Sequence, residues 1–229
     1  MVDNFELIKS LLKFENPGDC YYVQLLRRQS DDPKVNGVSD PKYHGNMHSR
    51  SIKDYFVCST DYLDAKKDEI ISLCKEHNVR AYIRLNKRTY KNIALAMLKH
   101  ITEQLCSGET FSSPFHMVAS AAGKANSAGS EKTWIVDIDK EFLPYEDEIR
   151  KLIEECEPLD KTKILATIPT KSGKHIITYP FNKQNLMQKW MIHHPDPLYH
   201  ESTGEKVSMF DIHKDNPTIL YVPDPPVVK

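Results

Sequence analysis

Apolar and polar positions follow two rhythms along this chain, and the points where the rhythm changes mark its elements. Near the start, Phe5, Ile8, Leu11 and Leu12 fall at helical spacing within NFELIKSLLKF, which predicts an amphipathic helix. CYYVQLLRR then reads as a strand. QSDDPKVNGVSDPKYHGNMHS follows, polar and broken by Pro and Gly, and is expected to be a long loop of the kind that is usually functional or mobile. IKDYFVC resumes as a strand. Ser59 or Thr60 is placed to cap the helix DYLDAKKDEIISLCKEHN, where Leu63, Ile70, Leu73 and Cys74 share a face. In VRAYIRLNKR, Val79, Ala81, Ile83 and Leu85 alternate with Arg80, Tyr82, Arg84 and Asn86, the period of a half-buried strand. Another helix is predicted from Tyr90 to Gln104.

SAAGKANSAGSEKT is small, polar and glycine-containing, and is the best candidate for a boundary. It divides the chain into residues 1–125 and 126–229. In the second part, WIVDI reads as a strand, EDEIRKLIEECE as a helix with Ile149, Leu152 and Ile153 on one side, and KILATIP as a strand. TKSG is a turn, with Gly173 expected at positive φ. KHIITYP is a strand, NKQNLMQKWMIH a helix and PTILYVP a last strand. The expected fold class is therefore α+β: an N-terminal α/β unit, then a β-α-β-β-α-β half of the ferredoxin-like or RRM-like kind with an antiparallel sheet.

That order has a chemical consequence. In such a unit the sheet order is 4-1-3-2, so the end of strand one lies beside the starts of strands three and four. Strand one ends with Asp137 and Asp139, two apart and hence on one face. Strand three begins at Lys174 and His175, preceded by Lys171 and Ser172, and FDIHKDN brings Asp211 shortly before the last strand. Convergent carboxylates need a cation, and oxygen-rich sites select Mg²⁺ or Mn²⁺. Two such ions about 3.5–4 Å apart would activate a nucleotide 3′-hydroxyl and steady a leaving pyrophosphate, with His and Lys on the triphosphate. The constellation suggests nucleotidyl transfer.

Composition narrows this reading. With 229 residues, 40% apolar and 28% charged, the chain is of ordinary globular make-up with a sizeable core. A net charge of −1 excludes an overall basic field, so any polyanion site must be local. Arg84, Lys87 and Arg88 form one basic cluster at the end of a predicted strand, suited to nucleic-acid phosphate, and Arg27 and Arg28 end another. The five scattered cysteines lack CxxC spacing and imply reduced thiols. No signal peptide or bilayer-length apolar run is evident, so a cytoplasmic protein without a membrane partner is expected.

The three segments together resemble the catalytic core of the archaeo-eukaryotic primase superfamily, which includes the primase-polymerases. Its hydrophobic–Asp-x-Asp motif is matched by IVDID, its turn with a histidine at a strand start by SGKHIIT, and its third motif, with a later segment of the type NRLLRLP, by MFDIHKDNPTILYVP. The resemblance covers roughly Trp134 to Pro223. It implies a DNA primase or DNA polymerase activity in DNA replication, with the active site in the cleft between the two halves. Asp137, Asp139 and Asp211 would be catalytic metal ligands for magnesium or manganese. His175, with Lys174, Ser172 and Lys171, would bind nucleotide, and Arg84, Lys87 and Arg88 would contact nucleic acid. The partners implied are nucleoside triphosphates, single-stranded or primed DNA and a replicative helicase, and the setting a phage or mobile element. Two departures stand out: Gly173 occupies the place of the motif serine, and Tyr221 that of the closing arginine.

Other readings compete. VDID also suits a strand leaving into an acidic turn, and Asp215 competes with Asp211. His193, His194 and Asp196 suit either a metal site or a Pro-flanked solvated turn. A haloacid-dehalogenase-type phosphatase would need a parallel sheet. A non-catalytic RRM-like nucleic-acid binder would need exposed aromatics, for which only Trp134 and Tyr179 are at hand.

Overall fold

The computed structural model describes residues 1–31, 49–108, 114–125, 131–199, 204–207 and 209–225. Most of the predicted long loop after Arg28 lies outside them. In chain order the elements are β1 (Val2–Asp3), α1 (Phe5–Lys9), β2 (Asp19–Arg28), β3 (Ser49–Val57), α2 (Thr60–His77), β4 (Arg80–Ile83), β5 (Arg88–Thr89), α3 (Tyr90–Ser107) and α4 (Pro114–Lys124). There follow β6 (Trp134–Ile138), α5 (Glu146–Glu154), β7 (Ile164–Pro169), β8 (Lys174–Thr178), α6 (Lys183–His193), β9 (Leu198–Tyr199), β10 (Lys206–Val207), β11 (Asp211–His213) and β12 (Thr218–Val222). The chain divides into two units, Met1–Ser130 with Ile219–Lys229, and Glu131–Thr218. No helix among the described residues is long and apolar enough to cross a membrane.

In the first unit the sheet runs β1-β12-β4-β2-β3, with β5 added to β2. The ten-residue β2 is its spine, because alternation lets it bury both faces: Val23 and Leu25 pair across to the buried Ile83 and Ala81, while Cys20 and Tyr22 join Ile93, Ala121, Ala122 and Ala125 in a second cluster. Helix α2 starts where Ser59 accepts the Tyr62 N–H at 3.0 Å and ends at Asn78, which takes the left-handed conformation at φ 49°. Such an N-cap is worth about 1 kcal/mol. Helix α4 is absent from the sequence expectation. It opens on Pro114, where the missing N–H is harmless, and carries small residues whose burial, not their polarity, decides their structure. The first residues of SAAGKANSAGSEKT are therefore helix.

The second unit holds a four-stranded sheet in the order β11-β6-β8-β7, with every neighbouring pair antiparallel. Numbered within the unit, that is fourth, first, third, second. Val136, Ile138, Ile176 and Ile212 form one core with Ile149, Leu152 and Ile153 of α5 and with Leu186 and Trp190 of α6. Alternate residues of the same strands, among them Asp137, His175 and Asp211, face the other way.

One strand sits elsewhere than expected. PTILYVP does form a strand, but β12 pairs with β1 (Val2↔Val222, Asp3↔Tyr221) in the first unit's sheet. All five of its residues are buried, and a continuous apolar run identifies a strand without saying which sheet takes it. The fourth strand of the second unit is the three-residue DIH, too short for any period to register.

Candidate active site

Register brings three of the expected residues into one line across the second sheet. Asp137 on β6 lies directly opposite Asp211 on β11 and directly opposite His175 on β8. Directly opposed residues share a face, so both carboxylates and the imidazole stand on the side away from the helices. His175 Nε2 is 3.4 Å from Asp137 Oδ1, and its Nδ1 is 2.8 Å from Thr218 Oγ1. The imidazole is 12% exposed against 30% for the Asp137 side chain, so the ring is held while the carboxylate remains open to solvent. Of the competing pair, Asp211 is the one in the row. Asp215 follows the end of β11.

Asp139 leaves β6 in extended conformation (φ −70°, ψ 170°) and is exposed; its carbonyl accepts the Phe142 N–H at 2.9 Å. Beside it lies the β7–β8 turn, closed by Thr170 N–H to the Gly173 carbonyl and by Gly173 N–H to Thr170 Oγ1, both 3.0 Å. Gly173 is not at positive φ, contrary to expectation. The requirement for glycine is close approach: a Cβ there would lie 2.0 Å from the Ile138 carbonyl oxygen and 3.2 Å from Asp139 Cα. No side chain fits at 173 without a shift of the Ile138–Asp139 backbone. Ser172 and Lys171 are exposed on this turn, at the edge where β6 ends.

Lys174 does not join the row. It is paired with Ile138, a core residue, and therefore points to the helix side, where its Nζ meets Glu146 Oε2 at 2.5 Å. Glu146 opens α5, a place that suits an acidic residue at the positive end of the helix dipole. His193 and His194 lead into a segment exposed at Pro195 and Asp196, as in a solvated turn. Both histidines grip the Glu148 carboxylate, at 2.8 and 3.0 Å, and His194 stacks on Trp190 with 4.0 Å between ring centroids. The hydrogen bond from His193 and then that from His194 hold Glu148 below the usual carboxyl range despite burial.

The expected basic patch of the first unit is structural in two of its three members. Arg88 is fully buried and donates from Nη1 to the Asn86 carbonyl and from Nε to the Ala122 carbonyl. Lys87 lies 2.8 Å from both Asp19 Oδ2 and Glu15 Oε2. Arg84 is half-buried beside Gly123. Arg28 donates to the Tyr82 hydroxyl. Arg88, Lys87 and Arg28 thus answer internal acceptors.

The donor set of the row suits a hard cation. Opposed residues of an antiparallel pair have Cβ atoms about 4.5–5.5 Å apart, where two like charges repel. Mg²⁺ is commonly held by one or two carboxylates, with waters and substrate phosphate completing its shell, and Asp137 with Asp211 matches that pattern. Among the described residues, no group of three or more His, Cys, Asp or Glu side chains could by itself hold a metal ion. Asp139 stands next to the pair and outside the row. The link from Thr218 to His175 has no signature in the sequence, because it spans 43 positions and involves a residue of no distinctive type.

No family model matches the chain, and no match is found among curated proteins or solved structures.

Proposed function

We propose that the protein is a metal-dependent nucleotidyltransferase resembling a DNA primase or primase-polymerase, adding nucleotides to a 3′-hydroxyl on a template. The observation that carries this reading is the cross-strand row Asp211–Asp137–His175, two carboxylates and an imidazole on one sheet face. The 4-1-3-2 antiparallel order supports treating the second unit as RRM-like. Asp137 and Asp211, with Asp139 beside them, would hold Mg²⁺ or Mn²⁺, which when bound supplies charge stabilisation at phosphate oxygens. His175 offers a ring nitrogen to the triphosphate from the same row, and Ser172 and Lys171 stand at the adjoining turn for its outer phosphates. Lys174 takes no part, being held on the other face by Glu146. Lys87 and Arg88 likewise fall away as template contacts.

The non-catalytic binder needs aromatics free for base stacking. Trp134 instead packs edge-to-face on Phe181 at 5.5 Å, with Lys214 over its ring, which favours the enzyme.

Primer extension with Mn²⁺ and separate deoxy- and ribonucleotide sets tests the proposal. Wild type should extend, and Asp139→Ala should lose at least about 100-fold in rate with an unchanged circular-dichroism spectrum. Equal rates in wild type and variant would sink the assignment.

A further inference from the structure

We propose that Thr218 is a positioning residue. It fixes His175 as the tautomer carrying hydrogen on Nε2 and aims that N–H over the Asp137–Asp211 row as a donor to a phosphate oxygen. The identity of that anion rests on the nucleotidyltransferase reading.

The two contacts of the imidazole dictate the assignment. An ionised carboxylate only accepts hydrogen bonds. With Asp137 Oδ1 3.4 Å from Nε2, attraction requires the hydrogen on Nε2, whereas a lone pair there would repel. A neutral imidazole carries a single N–H, so Nδ1 must then be the acceptor. The hydroxyl of Thr218 lies 2.8 Å from Nδ1 and can donate to it. Thr218 is wholly buried, so its hydroxyl lacks water as an alternative partner, and an unsatisfied buried hydroxyl is unfavourable. The carboxylate, at a distance longer than a normal hydrogen bond, favours this tautomer weakly, and the buried hydroxyl, with Nδ1 as the partner for its hydrogen, holds it. Position 175 on a paired strand sets where the ring starts, and Thr218, by donating to Nδ1, leaves Nε2 as the nitrogen that carries the hydrogen. When Asp137 is otherwise engaged, the same Nε2–H is left facing the row as an anion donor. A serine preserves this arrangement, while a valine keeps the shape and removes the donor.

The test uses the full-length protein without metal, with ¹⁵N-labelled histidine rings at mildly alkaline pH. Signals of His175 are assigned by their loss in His175→Gln, since the chain has 10 histidines. Wild type and Thr218→Ser should show Nδ1 as the bare nitrogen, and Thr218→Val should show a mixture of tautomers. Binding of dATP with Mg²⁺ should weaken about tenfold in Thr218→Val, the loss of one hydrogen bond's worth of ordering, and recover in Thr218→Ser. A wild-type ring protonated on Nδ1, or an identical tautomer in wild type and Thr218→Val, overturns the proposal. If Thr218→Val fails to fold, the wild-type and Thr218→Ser spectra still decide it. The expected tautomers in a protein that binds no dATP would uphold the positioning role and count against the nucleotidyltransferase reading.

Discussion

Lys87 and Arg88 in the first unit and Asp137 and Asp211 in the second are all charged residues at strand ends, yet their surroundings treat them in opposite ways. The cations of the first unit are matched inside it: Arg88 is buried against two carbonyls and Lys87 is closed in by Asp19 and Glu15. The carboxylates of the second unit are set opposite one another, with the His175 imidazole close to Asp137, and they stay open to solvent. Burying a charge is tolerable only when it is paired, and leaving like charges face to face is unfavourable. The first arrangement therefore stabilises the fold, and the second does not. A charged cluster in a sequence is uninformative until its neighbours are known.

Four substitutions probe that contrast, the largest effect first. Lys87→Met removes the cation facing Asp19, whose side chain is only 1% exposed, and should cost on the order of 3 kcal/mol in urea unfolding at neutral pH. The effect has a pH signature. Burial alone would raise the Asp19 carboxyl, but the Lys87 ammonium and the N–H groups of Asn16 and Glu15 outweigh it and hold it below its ordinary value. A depressed carboxyl contributes stability above its unfolded value of about 3.9 and loses it as pH falls through the lower folded value. The gap between wild type and Lys87→Met should accordingly narrow on acidification, and a gap that is constant with pH would contradict the pairing.

Two glycines sharpen the comparison in the middle range. Gly173→Ala forces a Cβ into the Ile138 carbonyl and should destabilise by about 2 kcal/mol, read as a fall in the urea midpoint. Gly123→Ala, within α4 of the first unit, meets only Arg84 at an ordinary 3.7 Å and should stabilise by about 0.5 kcal/mol through helix propensity. The same sign for both would refute the steric account of position 173. The smallest effect belongs to Lys174→Gln. Its side chain is 42% exposed, so solvent screening leaves the pair with Glu146 below about 1 kcal/mol. Nucleotide incorporation should change less than about twofold, because Lys174 lies on the helix side of the sheet. A large loss of incorporation would restore Lys174 to the site.

Element types were well marked along the chain. Strands such as Trp134–Ile138 and Lys174–Thr178, and helices such as Glu146–Glu154, follow from local periodicity and from side chains that bury on one face. The α+β class follows with them. Asp137 and His175 were visible as candidates because strand order puts them side by side. Helix α4 escaped because small residues carry little periodic signal, and β11 escaped because three residues carry none. Lys174 was misplaced by one residue of alternation, which moves a side chain to the opposite face of a sheet.

By itself, then, the sequence determined which of the longer periodic segments are helix or strand, the mixed class, and the residue types available for chemistry, since these depend on local patterns of apolarity and backbone preference. Tertiary structure alone decided that Thr218–Val222 joins the first unit's sheet, that Asp211 stands opposite Asp137, that Arg88 and Lys87 face inward, and that Thr218 holds His175. Each of those outcomes pairs residues far apart in the chain. Which partner satisfies a hydrogen bond or a charge is settled by three-dimensional packing, to which local sequence is blind.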